Sequence, residues 1–600
     1  MIRSRKSWGA TLIGAGLARF RVWAPIHELV CLRLLEHRED IPMFKVENGW
    51  HEVVTPLATH GSRYWFVLPN GEHLPDPASR YQPLDVAGPS EFVDLSRYRW
   101  QCHSWQGRPW HEAVIYELHV GAFTAEGTFG AVIDKLSHLA DMGVTALEIM
   151  PVNDFPGKFN WGYDGVLHFA PDATYGRPED LQRLIDAAHQ AGLMVLLDVV
   201  YNHFGPHGNR LATFGPEFFT DRHQTPWGAG INFDGDDAGP VRQFFIDNAL
   251  YWLEEFRLDG LRFDAVHAIA DNSDQHIIEA IATVLKERIP DRKIHLIMEN
   301  EHNEAHRLTG HTDTSGKVTA QWNDDIHHVL HTAVTGDTSG YYADFQGDAH
   351  KLARALAEGF AFQGEVMQYS DRTRGEPSAS LPPTAFIAFM QNHDQIGNRA
   401  YGDRLVTQAS ADALRAVTAI HLLLPQIPLI FMGEEWGETQ PFPFFCDFQG
   451  ELAEAVRTGR REEFARFPEF AQPETCDNIP DPTSPDTFAS AKLRWGDIDH
   501  AEQRTFIDLF KMLLAIRSRE VIPRLSAITC GGKFEVMPSG AIQITWRSGS
   551  TESLTLVANL QSKPAPYTSV TRGRVIWEEG DWDDGLLSPW FVQWSIGNAA

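Results

Sequence analysis

Several common chemistries have no foothold in this chain. There is no GxxxxGKS/T and no strand-following GxGxxG, so nucleotide chemistry lacks its phosphate-cradling loop. There is no HExxH pair and no CxxC. The five cysteines (Cys31, Cys102, Cys446, Cys476 and Cys530) are unclustered and odd in number, which suits a reducing cytoplasm and offers no metal knot. No run approaches 18 uninterrupted apolar residues, so a membrane-spanning helix is not expected. The basic start, Met1-Ile2-Arg3-Ser4-Arg5-Lys6-Ser7-Trp8, is not followed by an apolar segment, which argues against a secretory signal. Basic residues are scarce, 51 Lys and Arg against 80 Asp and Glu, for a net charge of −29. Nucleic-acid affinity is mostly Lys/Arg neutralisation of phosphate, so such a partner is excluded and a neutral or cationic substrate is expected.

What is present divides into three parts. At 600 residues the chain is too long for one ordinary core. Residues 1–105 alternate at period two, as in Ala18-Arg19-Phe20-Arg21-Val22-Trp23, and predict an N-terminal immunoglobulin-like β-sandwich. Residues 106–524 alternate strand with helix. Strands are predicted at Ala113 to His119, Val144 to Met150, Leu193 to Val200, the run ending at Asp264, Ile294 to Met298, Gly359 to Phe362, Thr384 to Met390 and Pro428 to Met432. Helices are predicted at Phe129 to Met142, Pro178 to Gly192 and Val241 to Phe256, with Trp252 on the core face. Eight such strands predict a (β/α)8 TIM barrel with long loop insertions, with a doubly wound sheet as the alternative. The stretch Tyr201 to Gly239 reads as a long loop without periodicity. Residues 525–600 return to alternation and predict a C-terminal β-sandwich.

Four acids each end or closely follow an apolar run: Asp198, Asp264, Glu299 and Asp394. Strand C-termini of a parallel barrel carry its chemistry, so acids placed there converge on one pocket. Glycosidic cleavage needs such a set, one acid to protonate the leaving oxygen and one carboxylate to attack the sugar. A strand-end acid can equally cap the next helix, but four on one face with Arg262 and His393 interleaved point to a site. Arg262 and Asp264 are two apart and share a strand face, so the guanidinium keeps the carboxylate ionised, as a nucleophile requires. Glu299 follows an apolar strand, where partial desolvation favours the protonated form a general acid needs. Trp161, Tyr163 and Trp227 lie in loops where aromatic faces could pack on pyranose rings. His327 and His331, four apart, offer either a metal pair or a helix-surface or subsite role.

These strings resemble the signature regions of the α-amylase superfamily of glycoside hydrolases. Asp198-Val199-Val200-Tyr201-Asn202-His203 is similar to the first region and Gly260-Leu261-Arg262-Phe263-Asp264-Ala265-Val266-His267 to the second; Glu299-Asn300 and Asn392-His393-Asp394 are similar to the third and fourth. The resemblance implies a retaining double displacement with Asp264 as nucleophile, Glu299 as general acid/base and Asp394 as transition-state stabiliser. It implies sugar contacts from Arg262, His203, His393 and Tyr163, with Asp198 orienting Arg262. Trp161, Trp227 and His267 are placed with the substrate-binding set. Asn202 matches a calcium ligand in some relatives, but no metal or cofactor is assigned.

Further strings are similar to the superfamily's trehalose-releasing subfamily: Asn160-Trp161-Gly162-Tyr163-Asp164, Thr225-Pro226-Trp227-Gly228 and Met432-Gly433-Glu434-Glu435-Trp436-Gly437-Glu438-Thr439. This implies hydrolysis of the α-1,4 bond beside the terminal trehalose of a maltooligosyltrehalose, with maltooligosyltrehalose synthase as pathway partner and a cytoplasmic setting. Phe444-Phe445-Cys446-Asp447-Phe448 departs from the subfamily, which would carry a polar residue near its end. The alternative is a 1,4-α-glucan (glycogen) branching enzyme, which shares the plan and the acids. The loops around Trp161, Trp227 and Trp436 are expected to decide why trehalose leaves.

Overall fold

The computed structural model describes residues 7–14, 16–309, 317–465, 478–568 and 573–598. Cys476 and the basic residues Arg3 to Lys6 lie outside the described residues. Short apolar runs form eight parallel strands: β1 (Ile115–Leu118), β2 (Ala146–Ile149), β3 (Met194–Val199), β4 (Gly260–Phe263), β5 (His295–Met298), β6 (Ala320–Trp322), β7 (Phe386–Ala388) and β8 (Ile427–Phe431). Each pairs with the next and β8 pairs with β1, so the sheet closes as a (β/α)8 barrel.

Period-two alternation sends every second side chain inward. Ile115, Ala146, Met194, Leu196, Ile297, Ala320, Ile387, Phe389, Ile427 and Leu429 fill the interior, each fully buried. Burying each large apolar side chain contributes roughly 1.5–3 kcal/mol. Trp105 and Trp110 close the N-terminal end, where their indole N–H groups donate to Asp259 at 2.8 Å and to the Thr384 carbonyl at 2.7 Å. One step further along the strands the same alternation brings in Glu117, Glu148, Asp198 and Arg262, each at most 2% exposed. A polar layer therefore caps an apolar plug at the C-terminal mouth.

Three expectations need correction. The sixth strand is Ala320–Trp322, not Gly359 to Phe362. A three-residue strand with Gln321 at its centre has no readable periodicity, and the buried Gln321 side chain donates through Nε2 to the Asn300 carbonyl at 3.0 Å and to Asn303 Oδ1 at 2.8 Å. Gly359 to Phe362 instead follows the helix Ala349–Glu358, and the Ala361 N–H donates to Asp325 at 2.8 Å. The helix expected over Phe129 to Met142 splits into Phe129–Ile133 and Leu136–Met142, ending at Gly143 with φ 106°. The stretch Tyr201 to Gly239 is not structureless, because Phe219–Thr225 and Gly228–Ile231 form an antiparallel hairpin with Trp227 at its tip.

Antiparallel sheets flank the barrel. Before it, a four-stranded sheet pairs Leu17–Trp23 with Trp50–Thr55, and a second sheet is centred on Arg63–Val67. Trp8 anchors this part, packing edge-on against Phe244 at 5.1 Å while Asp247 accepts the Ser7 and Trp8 N–H groups. After the barrel, a five-stranded sheet runs Lys533–Val536, Ile542–Ser548, Glu552–Asn559, Phe591–Asn598 and Arg574–Glu579. Its Trp546 and Trp594 donate to the carbonyls of Ala357 and Ala419, both at 3.2 Å.

One buried histidine makes stability depend on pH. His168 stacks on Phe204 at 4.4 Å and accepts from Asn153, and burial pushes its pKa down to about 3. It stays neutral in the fold while the unfolded chain takes up a proton below about pH 6.5. The stability it preserves is complete above that value and is lost as pH falls toward the folded pKa. His168→Phe should therefore gain about 2 kcal/mol relative to the parent between pH 7 and pH 5. Paired urea titrations at the two pH values check this, and a constant difference would contradict it.

Candidate active site

Arg262, on β4, gathers the strand-end acids. It is fully buried, its face lies 4.1 Å over the Trp322 ring, and its donors reach three carboxylates. Nη1 donates to Asp198 Oδ2 at 2.7 Å and to Asp264 Oδ1 at 3.0 Å, and Nη2 donates to Glu299 Oε2 at 2.7 Å. Burial opposes the guanidinium charge, but Asp198, Glu299, Tyr163 and Asp264 hold its pKa well above the ordinary value. Burial pushes Asp198 up to about 7 against the pull of Arg262, and the Tyr163 hydroxyl donates to Asp198 at 2.6 Å.

Asp264 is gripped from a second side. Asn202 Nδ2 donates to its Oδ2 at 2.7 Å and to its carbonyl at 2.8 Å. Asn202 thus serves Asp264, and no group of three or more His, Cys, Asp or Glu able to hold a metal exists among the described residues. The chain then turns through Ala265 in a left-handed conformation (φ 40°), which aims the Ala265 N–H at Glu299 Oε2, 3.0 Å away. Glu299 therefore does not sit in the apolar surroundings its strand suggests: one of its oxygens is held by a cation and a backbone donor.

Asp394 follows His393 after β7, with about a third of its side chain open to the cleft. Enclosure in the cleft raises its pKa, and the neighbouring His393 charge works the other way. Burial disfavours charge on His393, yet Asp394 and Glu117 outweigh it and lift its pKa to about 9. Its ring stacks on Tyr163 at 5.1 Å. His203 hydrogen-bonds Asn202 through Nδ1 and the Tyr163 carbonyl through Nε2 at 2.9 Å, and burial lowers its pKa to about 4.

The aromatics separate on inspection. Trp227 is 49% exposed and lies flat on His203, ring centroids 4.2 Å apart, so its far face is open. Trp161 offers no free face: it is buried, stacks on Phe442 at 5.5 Å and meets His393 edge-on at 5.4 Å. It backs the histidine instead. Trp436 is buried against Trp495 at 4.8 Å, away from the acid cluster. His267 accepts the Glu301 N–H and packs on His302 at 5.5 Å, outside the Arg262 network. His327 and His331 are buried rather than on a helix surface, stacked on each other at 5.2 Å. Cys446, in the string that departs from the resemblance, is buried and bridges backbone to Asn160.

Sequence reading missed Trp322, Glu117, Glu148 and Asp324. Asp324 opens the helix Asp324–Thr335 after β6, accepts from Gln395 at 3.2 Å, and is pushed by burial and then by Glu299 up to about 7. The signal for Glu117 and Glu148 was a lone acid inside an otherwise apolar strand.

Gly162 sets the turn that presents Tyr163. It has φ 105°, and a Cβ there would lie 2.1 Å from the Pro151 carbonyl oxygen. Gly162→Ala should therefore push Tyr163 off Asp198 and lower kcat about 10²-fold, with a smaller change in KM. Steady-state kinetics check this; parent-like kcat would contradict it.

The family described as alpha amylase, catalytic domain, matches residues 89–213. A malto-oligosyltrehalose trehalohydrolase from Saccharolobus solfataricus is 40% identical over 499 residues, 83% of this chain and 84% of the relative. A 1,4-alpha-glucan branching enzyme from Vibrio parahaemolyticus is 37% identical over 272 residues, 41% of this chain and 36% of the relative. The 1.4 Å crystal structure of an alpha-amylase-like protein from Salmonella typhimurium superimposes with TM-score 0.93 at 43% identity, covering 99% of this chain and 100% of that one. In likeness that runs through barrel and flanking sheets alike, the chain belongs to the malto-oligosyltrehalose trehalohydrolases of the α-amylase family.

Proposed function

We propose that this chain hydrolyses the α-1,4-glucosidic bond beside the terminal trehalose of a maltooligosyltrehalose, releasing trehalose and a maltooligosaccharide. Asp264 attacks the anomeric carbon. Glu299 protonates the leaving oxygen and then, as the base, activates the water that frees the glycosyl group from Asp264. Asp394 stabilises the positive charge that develops on the ring. The observation that carries this reading is the single guanidinium of Arg262 holding both Asp264 and Glu299. Two carboxylates on one guanidinium suit the close spacing of retaining enzymes, about 5–5.5 Å, better than the wider inverting one. Because Oε2 of Glu299 accepts both internal bonds, the proton it delivers belongs on Oε1. Arg262, His203, His393, Tyr163 and Trp227 line the subsite, and Asp198 orients Arg262.

In this reading residues 1–105 and 525–600 are accessory β-domains on a barrel domain of residues 106–524. The protein acts in the cytoplasm after a maltooligosyltrehalose synthase. No described helix is long and apolar enough to cross a membrane. Chromatography of products from maltotriosyltrehalose and, separately, from amylose tests the proposal. Free trehalose from the first supports it, whereas branched glucan from amylose with no trehalose released would favour a branching enzyme.

A further inference from the structure

Beneath the acids lie two carboxyls that the proposed reaction does not use. Glu117 and Glu148 are register neighbours on β1 and β2, and both are buried. Their surroundings differ. Glu117 Oε1 lies 2.5 Å from His393 Nδ1, and Oε2 accepts the His393 backbone N–H at 3.2 Å. Neither oxygen of Glu148 has a hydrogen-bond partner among the described residues. Two adjacent carboxyls at this depth do not both ionise. The bonds decide which one does: Glu117, with two donors, carries the charge, and Glu148 is the neutral acid. Burial and then Glu117 itself push Glu148 well above the ordinary carboxylate range.

We infer that Glu117 is a positioning residue of the reaction, whose two-point grip keeps His393 an imidazolium and turns its Nε2 into a permanent donor at the cleft floor. The ring's two nitrogens are linked by this grip. With Nδ1 donating to Glu117, a neutral ring would turn a bare Nε2 lone pair toward Asp394 Oδ1, 3.5 Å away. That contact is repulsive, and a bare nitrogen cannot donate to a sugar hydroxyl. A protonated ring instead donates on both sides. The other groups facing His393 do not supply the charge balance alone: Arg262 from β4 and His119 after β1 disfavour a cation there. Asp394 on its own helix and the buried Asp198 favour it, while Tyr163 stacks on the ring. Removing the Glu117 charge leaves the ring beside Arg262 with one contacting carboxylate instead of two.

This inference rests on the proposed function only for its assay. With α-maltosyl fluoride, whose leaving group needs little help from the Glu299 proton, the alkaline limb of kcat/KM should lie near the His393 value of about 9 in the parent and move down by about two pH units in Glu117→Gln. The loss should exceed about tenfold at pH 8 and be much smaller at pH 6. Glu148→Gln, an amide in place of a neutral acid, should keep the parent profile. An alkaline limb that stays put in Glu117→Gln, or one that moves equally in Glu148→Gln, would overturn the inference. A second measurement needs neither turnover nor a folded Glu117 variant. In ¹⁵N-histidine-labelled parent, with the ring assigned by its loss in His393→Gln, the His393 signal should be that of an imidazolium at pH 8. A neutral ring there would overturn the inference, whichever substrate the protein takes. Absence of trehalose release with an imidazolium at pH 8 would instead sink the substrate reading and leave this one standing.

Discussion

Asp264→Asn should lower turnover of maltotriosyltrehalose by roughly 10⁴-fold or more, at every pH. The substitution changes one atom and leaves the cleft its shape. In the parent, Asp264 accepts from Arg262 at 3.0 Å on Oδ1 and from Asn202 at 2.7 Å on Oδ2. An amide supplies one acceptor oxygen for those two donors, so its NH₂ group must face either Arg262 or Asn202. Stability should fall by about 1–3 kcal/mol, the cost of one unmet buried donor. That is small beside the loss of the attacking carboxylate, without which no glycosyl-enzyme forms. Glucan affinity, followed by calorimetry, should stay within about tenfold of the parent, because the subsite walls are untouched. Residual kcat above a hundredth of the parent's would mean that Asp264 is not the nucleophile.

Glu299→Gln should cost about 10²–10⁴-fold on the same substrate, the range expected for one positioned acid/base. Its diagnostic is the leaving group. A sugar oxygen needs a proton to depart, whereas fluoride needs little help. With α-maltosyl fluoride the first step should therefore recover most of its rate, and the covalent intermediate should accumulate because the second step still lacks its base. Mass spectrometry of the trapped protein would show the added sugar. Equal losses on both substrates would remove the acid assignment. The amide can still accept from Arg262 and the Ala265 N–H through its oxygen, so the fold around the site should persist.

The acids were legible in the sequence because each ends or closely follows an apolar run, and a buried parallel strand has little other reason to finish on a charge. Period two placed Arg262 beside Asp264, and the two are bonded. What escaped reading has physical causes. The strand Ala320–Trp322 is too short to show a period, so the Trp322 ring under Arg262 was invisible until the barrel closed. Glu117 and Glu148 were hidden inside Ile115-Tyr116-Glu117-Leu118 and Ala146-Leu147-Glu148-Ile149, where apolar neighbours masked them. Loop tryptophans look alike in sequence, and only packing separates Trp227, open on one face, from Trp161 and Trp436, buried behind the site or away from it. The reading of Glu299 as an acid in apolar surroundings failed for a related reason: a strand's composition does not disclose what reaches its end from the strand beside it.

The most direct test of the whole account is ¹H NMR of the first turnovers of maltotriosyltrehalose. Each new glucan end should appear first as the α-anomer, with one equivalent of free trehalose, before mutarotation mixes the anomers. A first-formed β-anomer would contradict the double displacement by Asp264 and Glu299. Glucose or maltose released in place of trehalose would contradict the bond assigned.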